Sequence, residues 1–240
     1  MRLPSRAVVL MAVAALPLAL SACSSGSSSD SGTGAGTGSG ASAGPAEAKD
    51  PHAAVPTGTQ LKKALAPASA FPAGLTLESD GSADSGGQLL SPAARKTGKP
   101  DCTRLETTSW IQVSGYKGGV SFAQNGYANK TEEVDQEIDA FQGTTATDVM
   151  KALRSVAAAC ATYTDTDAHA KVKLTGSTTP GLADEAYTMT LTSGSWENGT
   201  TLIAARSGNS VVTVLSTAGT DDGAASARKV TTTVLAALKK

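Results

Sequence analysis

Side chains suited to acid–base or nucleophilic chemistry are scarce in this sequence. Among its 240 residues there are two histidines, His52 and His169. A serine–histidine or cysteine–histidine nucleophile needs its base within hydrogen-bonding reach, and only His169 lies in the part of the chain that we expect to fold. No set of residues therefore predicts catalysis, and we expect a protein that is not an enzyme and has no cofactor.

Two acidic patterns raise the question of cation binding. Asp165, Asp167 and His169 alternate, which would place three donor groups on one side of an extended segment. The alternative is a solvated loop before a strand, which we favour because the spacing of an EF-hand is absent. The second pattern is an acidic alternation at Glu133, Asp135, Glu137 and Asp139. We interpret it as the wet face of an edge strand, where charges discourage aggregation, and we expect no metal site.

Aromatic side chains with polar tips are the remaining candidates for a binding site. Their rings suit a cleft that holds a ligand, because one end is apolar and the other forms hydrogen bonds. In a chain with 4% aromatic residues, the same rings are equally suited to the core. The candidate ligand-binding residues are Trp110, Tyr116, Tyr127, Tyr187 and Trp196.

The charge of the chain excludes two classes of partner. The formal net charge is −1, and basic residues do not cluster. Nucleic-acid binding requires a basic patch or stripe, and electrostatic attraction to anionic lipid requires a polybasic segment. We therefore expect no nucleic-acid partner and no charge-driven membrane binding.

The first 22 residues have the layout of an export signal. Arg2 and Arg6 give a positive start, and residues 8–20 form an apolar run. That run is too short to span a bilayer comfortably, since a spanning helix needs about 20 apolar residues. It ends in Leu20-Ser21-Ala22-Cys23, which resembles the lipobox of bacterial lipoproteins. The alternative is an ordinary signal peptide that a cysteine follows by chance.

The lipobox resemblance implies that residues 1–22 are removed and that the Cys23 thiol carries diacylglycerol. It implies a cell-membrane protein anchored by lipid on the extracytoplasmic face. Two or three acyl chains, at about 0.8 kcal/mol per buried methylene, hold a protein stably where one chain does not.

Three cysteines are an odd number for an exported protein. If Cys23 carries lipid, Cys102 and Cys160 remain as a pair in an oxidising compartment, where disulfides persist. A bridge between them would stabilise the fold by roughly 4 kcal/mol in the chain-entropy description. The alternative is two buried free thiols.

The composition divides the chain into a tether and a domain. Residues 23–56 are rich in serine and glycine, so they cannot bury enough apolar surface to become ordered. A coil of this length reaches roughly 30 Å. Residues 57–240 contain the periodic apolar patterns and suit a single domain.

Those patterns predict an α+β fold. Helices are predicted from Thr59, from Thr144 or Thr145 to Cys160, and from Asp221 onward. Strands are predicted at residues 75–77, 119–128, 133–140, 170–175, 186–192, 200–206 and 210–217. For residues 133–140 a helix is the alternative, and residues 79–98 are predicted to be a loop. We expect an antiparallel sheet flanked by helices that pack on one side, with one disulfide.

Three segments support a family resemblance. They are residues 100–105, residues 134–160 and residues 205–214 with the amphipathic helix that follows. Together they resemble the extracytoplasmic sensor domain of PknH-type receptor kinases and related actinobacterial lipoproteins. The resemblance implies an antiparallel sheet flanked by helices around a cleft for an extracellular ligand. The kinase sensor has two disulfides, whereas this chain has cysteines for one, and it shows no kinase segment.

We therefore expect a membrane-anchored extracytoplasmic lipoprotein with a non-catalytic domain. That domain is expected to bind a small ligand or to act as a sensor. The alternative is a structural or assembly partner of a cell-envelope membrane protein.

Overall fold

A computed structural model describes residues 55–84, 100–108, 110–113, 119–166 and 168–239, without the side chains of residues 112–113. These residues belong to one compact unit, residues 49–240. None of the helices in these ranges is long and apolar enough to cross a membrane. The predicted signal, most of the tether, Cys23 and Tyr116 lie outside the described residues.

The described residues form helices and strands in a mixed order. The α-helices are α1 (Gly58–Ala64), α2 (Trp110–Val113), α3 (Thr145–Ala159) and α4 (Ala224–Leu238). Two short 3₁₀ helices span Ala68–Ala70 and Cys102–Glu106. The strands are β1 (Thr76–Asp84), β2 (Ser121–Ala128), β3 (Glu133–Ala140), β4 (Thr162–Asp165), β5 (Ala170–Thr178), β6 (Glu185–Thr192), β7 (Thr200–Ser207) and β8 (Ser210–Ser216).

These strands form one sheet in the order β1-β2-β3-β8-β7-β6-β5-β4. Every neighbouring pair is antiparallel. The last strand, β8, inserts between β3 and β7, so β3 is an interior strand with a partner on each side. Within the described residues, β1 and β4 are the edges of the sheet.

Helices cover both faces of the sheet. On β7, Ile203 and Ala205 belong to one core, which includes residues of α1 and α4. Leu202 and Ala204 belong to a second core, which includes residues of α2 and α3. We call these face A and face B, respectively, because successive side chains of a strand point to opposite sides.

The predicted α+β class, with helices flanking an antiparallel sheet, is confirmed, but the prediction that the helices pack on one side was wrong. The reason lies in β7 and β8, where neighbouring residues such as Val211 and Val212 are both fully buried. A strand covered on both faces carries apolar residues consecutively instead of alternately. The run Val211–Leu215 therefore indicates that helices pack on both faces of the sheet.

The predicted helices are confirmed, with small changes at their ends. α3 buries its apolar stripe against face B. α1 begins earlier than predicted because Thr57, rather than Thr59, caps it. The Thr57 side chain accepts from the Gln60 N–H, and the Gln60 side chain accepts from the Thr57 N–H. This reciprocal pair is a capping box, which satisfies two backbone donors at the helix start.

Two strand predictions need correction. Residues 79–84, predicted as loop, continue β1 and pair with β2, with a register shift between Leu77 and Ser79. Their Gly, Ser and Asp residues have low strand propensity, so pairing with β2 overrides the local preference. β4 is a short edge strand where the sequence predicts only a polar segment.

The predicted bridge between Cys102 and Cys160 is confirmed. It joins the 3₁₀ helix Cys102–Glu106 to the C-cap of α3, and both cysteines are buried in the face B core. On the same 3₁₀ helix, the Glu106 carboxylate accepts a hydrogen bond from the Tyr163 hydroxyl at 2.7 Å. This part of face B is thus held covalently and by a buried polar contact.

Candidate functional site

A row of four acidic side chains lies on β3. We call it the acidic strip: Glu133, Asp135, Glu137 and Asp139. The alternate β3 residues Val134 and Ile138 belong to the face A core, so the strip lies on face B. The predicted strand is confirmed, but its placement at an edge was wrong, because β3 pairs with both β2 and β8.

The strip runs from solvent into the protein. Glu133 is exposed, Asp135 and Glu137 are half-buried, and Asp139 is only 2% exposed. The face is therefore wet at one end and buried at the other. Charged side chains are almost never fully buried without a partner, so the partners of Asp139 determine what the strip can do.

The Asp139 carboxyl has two neighbours of different kinds, a backbone amide and another acid. Its Oδ1 accepts a hydrogen bond from the Gly119 N–H at 2.8 Å. Its Oδ2 is buried and receives no hydrogen bond from an N–H or hydroxyl group of the described residues. The carboxyl also lies within hydrogen-bonding reach of Glu137. Asp139 therefore keeps acceptor capacity at the buried end of the strip.

The local environment shifts the pKa values of both acids. Burial raises the pKa of Glu137 well above its usual range, and the Asp139 charge and hydrogen bond raise it further, against a Thr108 hydrogen bond that lowers it. Burial raises the pKa of Asp139 to about 6, although hydrogen bonds with Gly119 and Glu137 lower it. One hydrogen bond thus raises the pKa of Glu137 and lowers that of Asp139. The interaction between the two carboxyls therefore moves their pKa values apart, with that of Glu137 raised and that of Asp139 lowered, and the two titrate as a pair.

Asp135 and Glu133 form a second acidic pair nearer the surface. Burial raises the pKa of Asp135 well above its usual range, and the charge of Glu133 and a hydrogen bond to it add to this. Gly126 of β2 lies opposite Asp135. A Cβ atom at Gly126 would collide with Oδ1 of Asp135. Because Gly126 has no side chain, the Asp135 carboxyl can lie over β2 at this position.

Trp110 of α2 lies in the apolar core on face B, the same face as the strip. Its ring is fully buried, and its indole N–H donates to Oγ1 of Thr213 at 2.9 Å. Thr213 is the β8 residue opposite Glu137. This hydrogen bond holds the ring on face B, beside the β8 residue that pairs with Glu137.

The other predicted aromatic residues do not share one surface. Tyr187 and Trp196 are partly buried against the same face B core as Trp110. Tyr127 lies on face A, where its ring packs against Phe71 with centroids 4.0 Å apart. The structure therefore brings three of these rings to one face and places Tyr127 on the other. A ligand-binding role for these rings stays a prediction.

The pattern of Asp165, Asp167 and His169 has a structural role at one of its ends. Asp165 is buried, and its Oδ1 accepts from the Ala168 N–H at 3.2 Å in the turn before β5. His169 is exposed, with a φ of +50°. Asp167 lies outside the described residues. Among the described His, Cys, Asp and Glu side chains, no group of three or more is placed to hold a metal ion.

A small cavity of about 160 Å³ opens on the opposite side of the sheet. It lies between the 3₁₀ helix Ala68–Ala70 and the start of α4. Its lining residues are Ala70, Pro72, Ala225, Ser226 and Lys229. It contains neither the predicted aromatic residues nor the strip, and it offers a ligand only one charged group.

Comparisons with known proteins identify the fold. No protein-family model matches the chain, and no curated protein matches it. Among solved structures, the chain is similar to the extracellular domain of PknH from Mycobacterium tuberculosis, with a TM-score of 0.54 and 15% sequence identity. The similarity covers 78% of this chain and 99% of that one. The PknH-like fold that the sequence resemblance implies is therefore confirmed.

Proposed function

We propose that this chain is an extracytoplasmic lipoprotein whose folded domain binds a ligand or acts as a sensor, without catalysis. The observation that carries the proposal is the fold, which this chain shares with an extracellular domain over 78% of its length. The alternative partner for the same domain is a membrane protein of the cell envelope.

The cysteines support export. Cys102 and Cys160 are bridged, and disulfides persist in oxidising compartments outside the cytosol. The third cysteine, Cys23, ends the apolar run that has the layout of a lipoprotein signal. Acylation at Cys23 would give each cysteine a role and hold the domain at the membrane through its tether.

A binding role is supported by the acidic strip. It contains a buried carboxyl, one oxygen of which has no N–H or hydroxyl donor among the described residues, on a strand fixed by partners on both sides. Rigid elements position binding groups better than loops do. Neighbouring carboxyls with shifted pKa values also occur in acid–base catalysts, so hydrolase assays belong beside the binding assays.

Mass spectrometry of the protein purified from membranes tests the anchor. We expect the mature chain to begin at Cys23 with a diacylglycerol-modified, acylated cysteine. The Cys23→Ala variant should leave the membrane fraction and keep the Cys102–Cys160 bridge. An unmodified residue 23 in the membrane-derived protein would contradict lipid anchoring.

A thermal-shift screen with extracts of the cell envelope tests ligand binding. We expect at least one component to raise the melting temperature of the full chain, because a ligand that binds only the folded state stabilises it. If no component does so and crosslinking in cells instead captures one membrane protein, the domain is an assembly partner.

A further inference from the structure

Two asparagines in the described part of the chain are followed directly by glycine. Asn198 and Gly199 lie in the loop between β6 and β7, whereas Asn125 and Gly126 lie within β2. A glycine has no Cβ to shield its backbone nitrogen from the preceding side chain. That nitrogen can attack the amide carbon of the asparagine side chain, so each pair has the chemistry for spontaneous deamidation.

The pair in β2 is held away from this reaction. β2 is hydrogen-bonded to β1 on one side and to β3 on the other, which fixes the extended backbone of Asn125 and Gly126. The Asn125 side-chain oxygen also accepts a hydrogen bond from Nε2 of Gln136 at 2.7 Å. Ring closure at Asn125 would require an interior strand to leave the sheet, and such openings are rare in a folded domain.

The pair between β6 and β7 has a different environment. Asn198 is exposed and lies outside the helices and strands, so its side chain can rotate in solvent. Gly199 is buried immediately before the first residue of β7. The side-chain amide is therefore open to water, whereas the nitrogen that would attack it is packed inside the domain.

Asp222 holds the attacking nitrogen. Its Oδ1 accepts a hydrogen bond from the Gly199 N–H at 2.7 Å, and a carboxylate acceptor makes this bond stronger than a neutral one. A Cβ at Gly199 would lie 2.8 Å from the same carboxylate oxygen and 2.7 Å from the carbonyl oxygen of Leu191. The peptide unit therefore has little room to turn. The nitrogen must also lose its proton to react, and the adjacent carboxylate disfavours the negative charge that this creates.

The backbone of Asp222 indicates that this contact is a specific restraint. Asp222 directly precedes Gly223, the N-cap of α4, and has a φ of +57°. The left-handed region costs free energy for a residue with a side chain, and the surrounding structure must offset that cost. The hydrogen bond to Gly199 is one contact that does so, and it joins the β6–β7 loop to the start of α4.

We propose that Asn198 is a site of spontaneous deamidation and that Asp222 limits its rate. The Gly199 nitrogen bonds to Cγ of Asn198 and loses its proton to solvent, and the Cγ–Nδ2 bond breaks to release ammonia. Water then adds to one of the two carbonyl carbons of the succinimide ring and opens it, which gives aspartate or isoaspartate at position 198. The reaction needs only water, and the proposal does not depend on the proposed function.

The modification would loosen the contact between the β6–β7 loop and α4. Isoaspartate adds a methylene group to the backbone next to Gly199, which is closely packed. Either product also adds a carboxylate one residue away from the Asp222 contact, and like charges repel. We therefore expect faster hydrogen exchange at the first residues of β7 and α4 in the modified chain.

Incubation of the full chain in mildly alkaline heavy-oxygen water, with non-ionic detergent, tests the proposal. Peptide mapping by mass spectrometry then locates each residue that took up solvent oxygen when its succinimide opened. Asp222→Gly removes the acceptor and suits the positive φ, whereas Asp222→Asn keeps an acceptor oxygen without the charge. Asp221→Gly removes the neighbouring carboxylate, which accepts from the Ala225 N–H instead, and is the matched control.

We expect solvent oxygen at residue 198 of the native chain and none at residue 125. Asp222→Gly should accelerate the reaction at residue 198 at least about tenfold, because a hydrogen bond to a charged group is lost. Asp222→Asn should react at a rate between those of the native chain and Asp222→Gly. Asp221→Gly should change the rate by less than about twofold.

Several results would overturn the proposal. They are an absence of solvent oxygen at residue 198 of the native chain, modification of residue 125 as fast as that of residue 198, equal rates in the native chain and Asp222→Gly, or equal acceleration by Asp221→Gly and Asp222→Gly. The comparison of residues 198 and 125 uses only the native chain, so it tests the site even if a variant does not fold.

Discussion

Glu137 and Asp139 are alternate residues of an interior strand and lie on the same face, and the interaction between their carboxyls raises the pKa of Glu137 and lowers that of Asp139. Burial raises the pKa of both carboxyls. Most buried acids in proteins are ionised and paired with a cation or with several N–H groups. Here, none of the ion pairs within the described residues includes Glu137 or Asp139.

The first prediction concerns stability and pH. Asp139 has a raised pKa when folded, so the folded chain holds a proton that the unfolded chain releases at a lower pH. Stability is fully present below about pH 4 and is lost as pH rises through about 6. For Asp139, a rise from 3.8 to about 6 corresponds to a loss on the order of 3 kcal/mol. Chemical denaturation of the full chain across this range measures it.

Asp139→Asn is the variant that isolates this effect. Asparagine keeps an acceptor for the Gly119 N–H and carries no charge, so we expect a flatter pH profile and a variant at least as stable as the native chain at about pH 8. Glu197→Gln, in an exposed position, should keep the native profile. A profile for Asp139→Asn that is as steep as that of the native chain would contradict the raised pKa of Asp139.

The second prediction concerns the disulfide. The double substitution Cys102→Ser and Cys160→Ser should lower the free energy of unfolding by roughly 2–5 kcal/mol. Hydrogen exchange should increase first at the end of α3, because Cys160 is its C-cap. Cys23→Ala serves as the control, since residue 23 precedes the folded domain. Equal stability of the double variant and the native chain would contradict the structural role of the bridge.

The third prediction compares two glycines. Gly223 and Gly208 both have positive φ, +79° and +61°, but a Cβ at Gly223 would collide with the carbonyl oxygen of Ser216, whereas a Cβ at Gly208 has open space. Alanine costs about 1–2 kcal/mol in the left-handed region at either position. Gly223→Ala should therefore destabilise the fold clearly more than Gly208→Ala, as measured by urea denaturation. Equal losses would show that the start of α4 does not pack closely on β8.

The fourth prediction concerns Trp110. Trp110→Phe keeps an aromatic ring but loses the hydrogen bond to Thr213, leaving a buried hydroxyl with one partner fewer. We expect a loss of about 1–3 kcal/mol in unfolding free energy. Trp196→Phe, in a partly buried position, should cost much less. A Trp110→Phe variant of native stability would argue that this ring is not needed for the core.

The acidic strip shows what the sequence pattern predicts about a strand and what it does not. The alternation of acids with Val134 and Ile138 predicts correctly that β3 is a strand and that its carboxyls share one face. It cannot predict how far this face is buried, because residues that lie near it, such as Trp110 and Thr213, come from distant parts of the chain. Alternation specifies which side chains lie together, whereas burial depends on which strands become neighbours.

The remaining differences between sequence and structure have the same physical origin. Residues 79–84 have the composition of a loop, yet they form part of β1 because β2 offers them backbone partners. The second helical layer follows from consecutive apolar residues in β7 and β8, which local helix patterns do not reveal. By contrast, α3, α4 and the Cys102–Cys160 bridge depend on strong local periodicity or on residue identity, and these predictions are confirmed.

Carbon-13 NMR of the side-chain carboxyls in the full chain tests the coupled titration of Glu137 and Asp139 most directly, with resonances assigned by Glu137→Gln and Asp139→Asn. We expect Asp139 to titrate at about pH 6 and Glu137 above its usual range, with each substitution shifting the titration of the other residue. Independent titration of both groups near about pH 4, as in unfolded peptides, would contradict it.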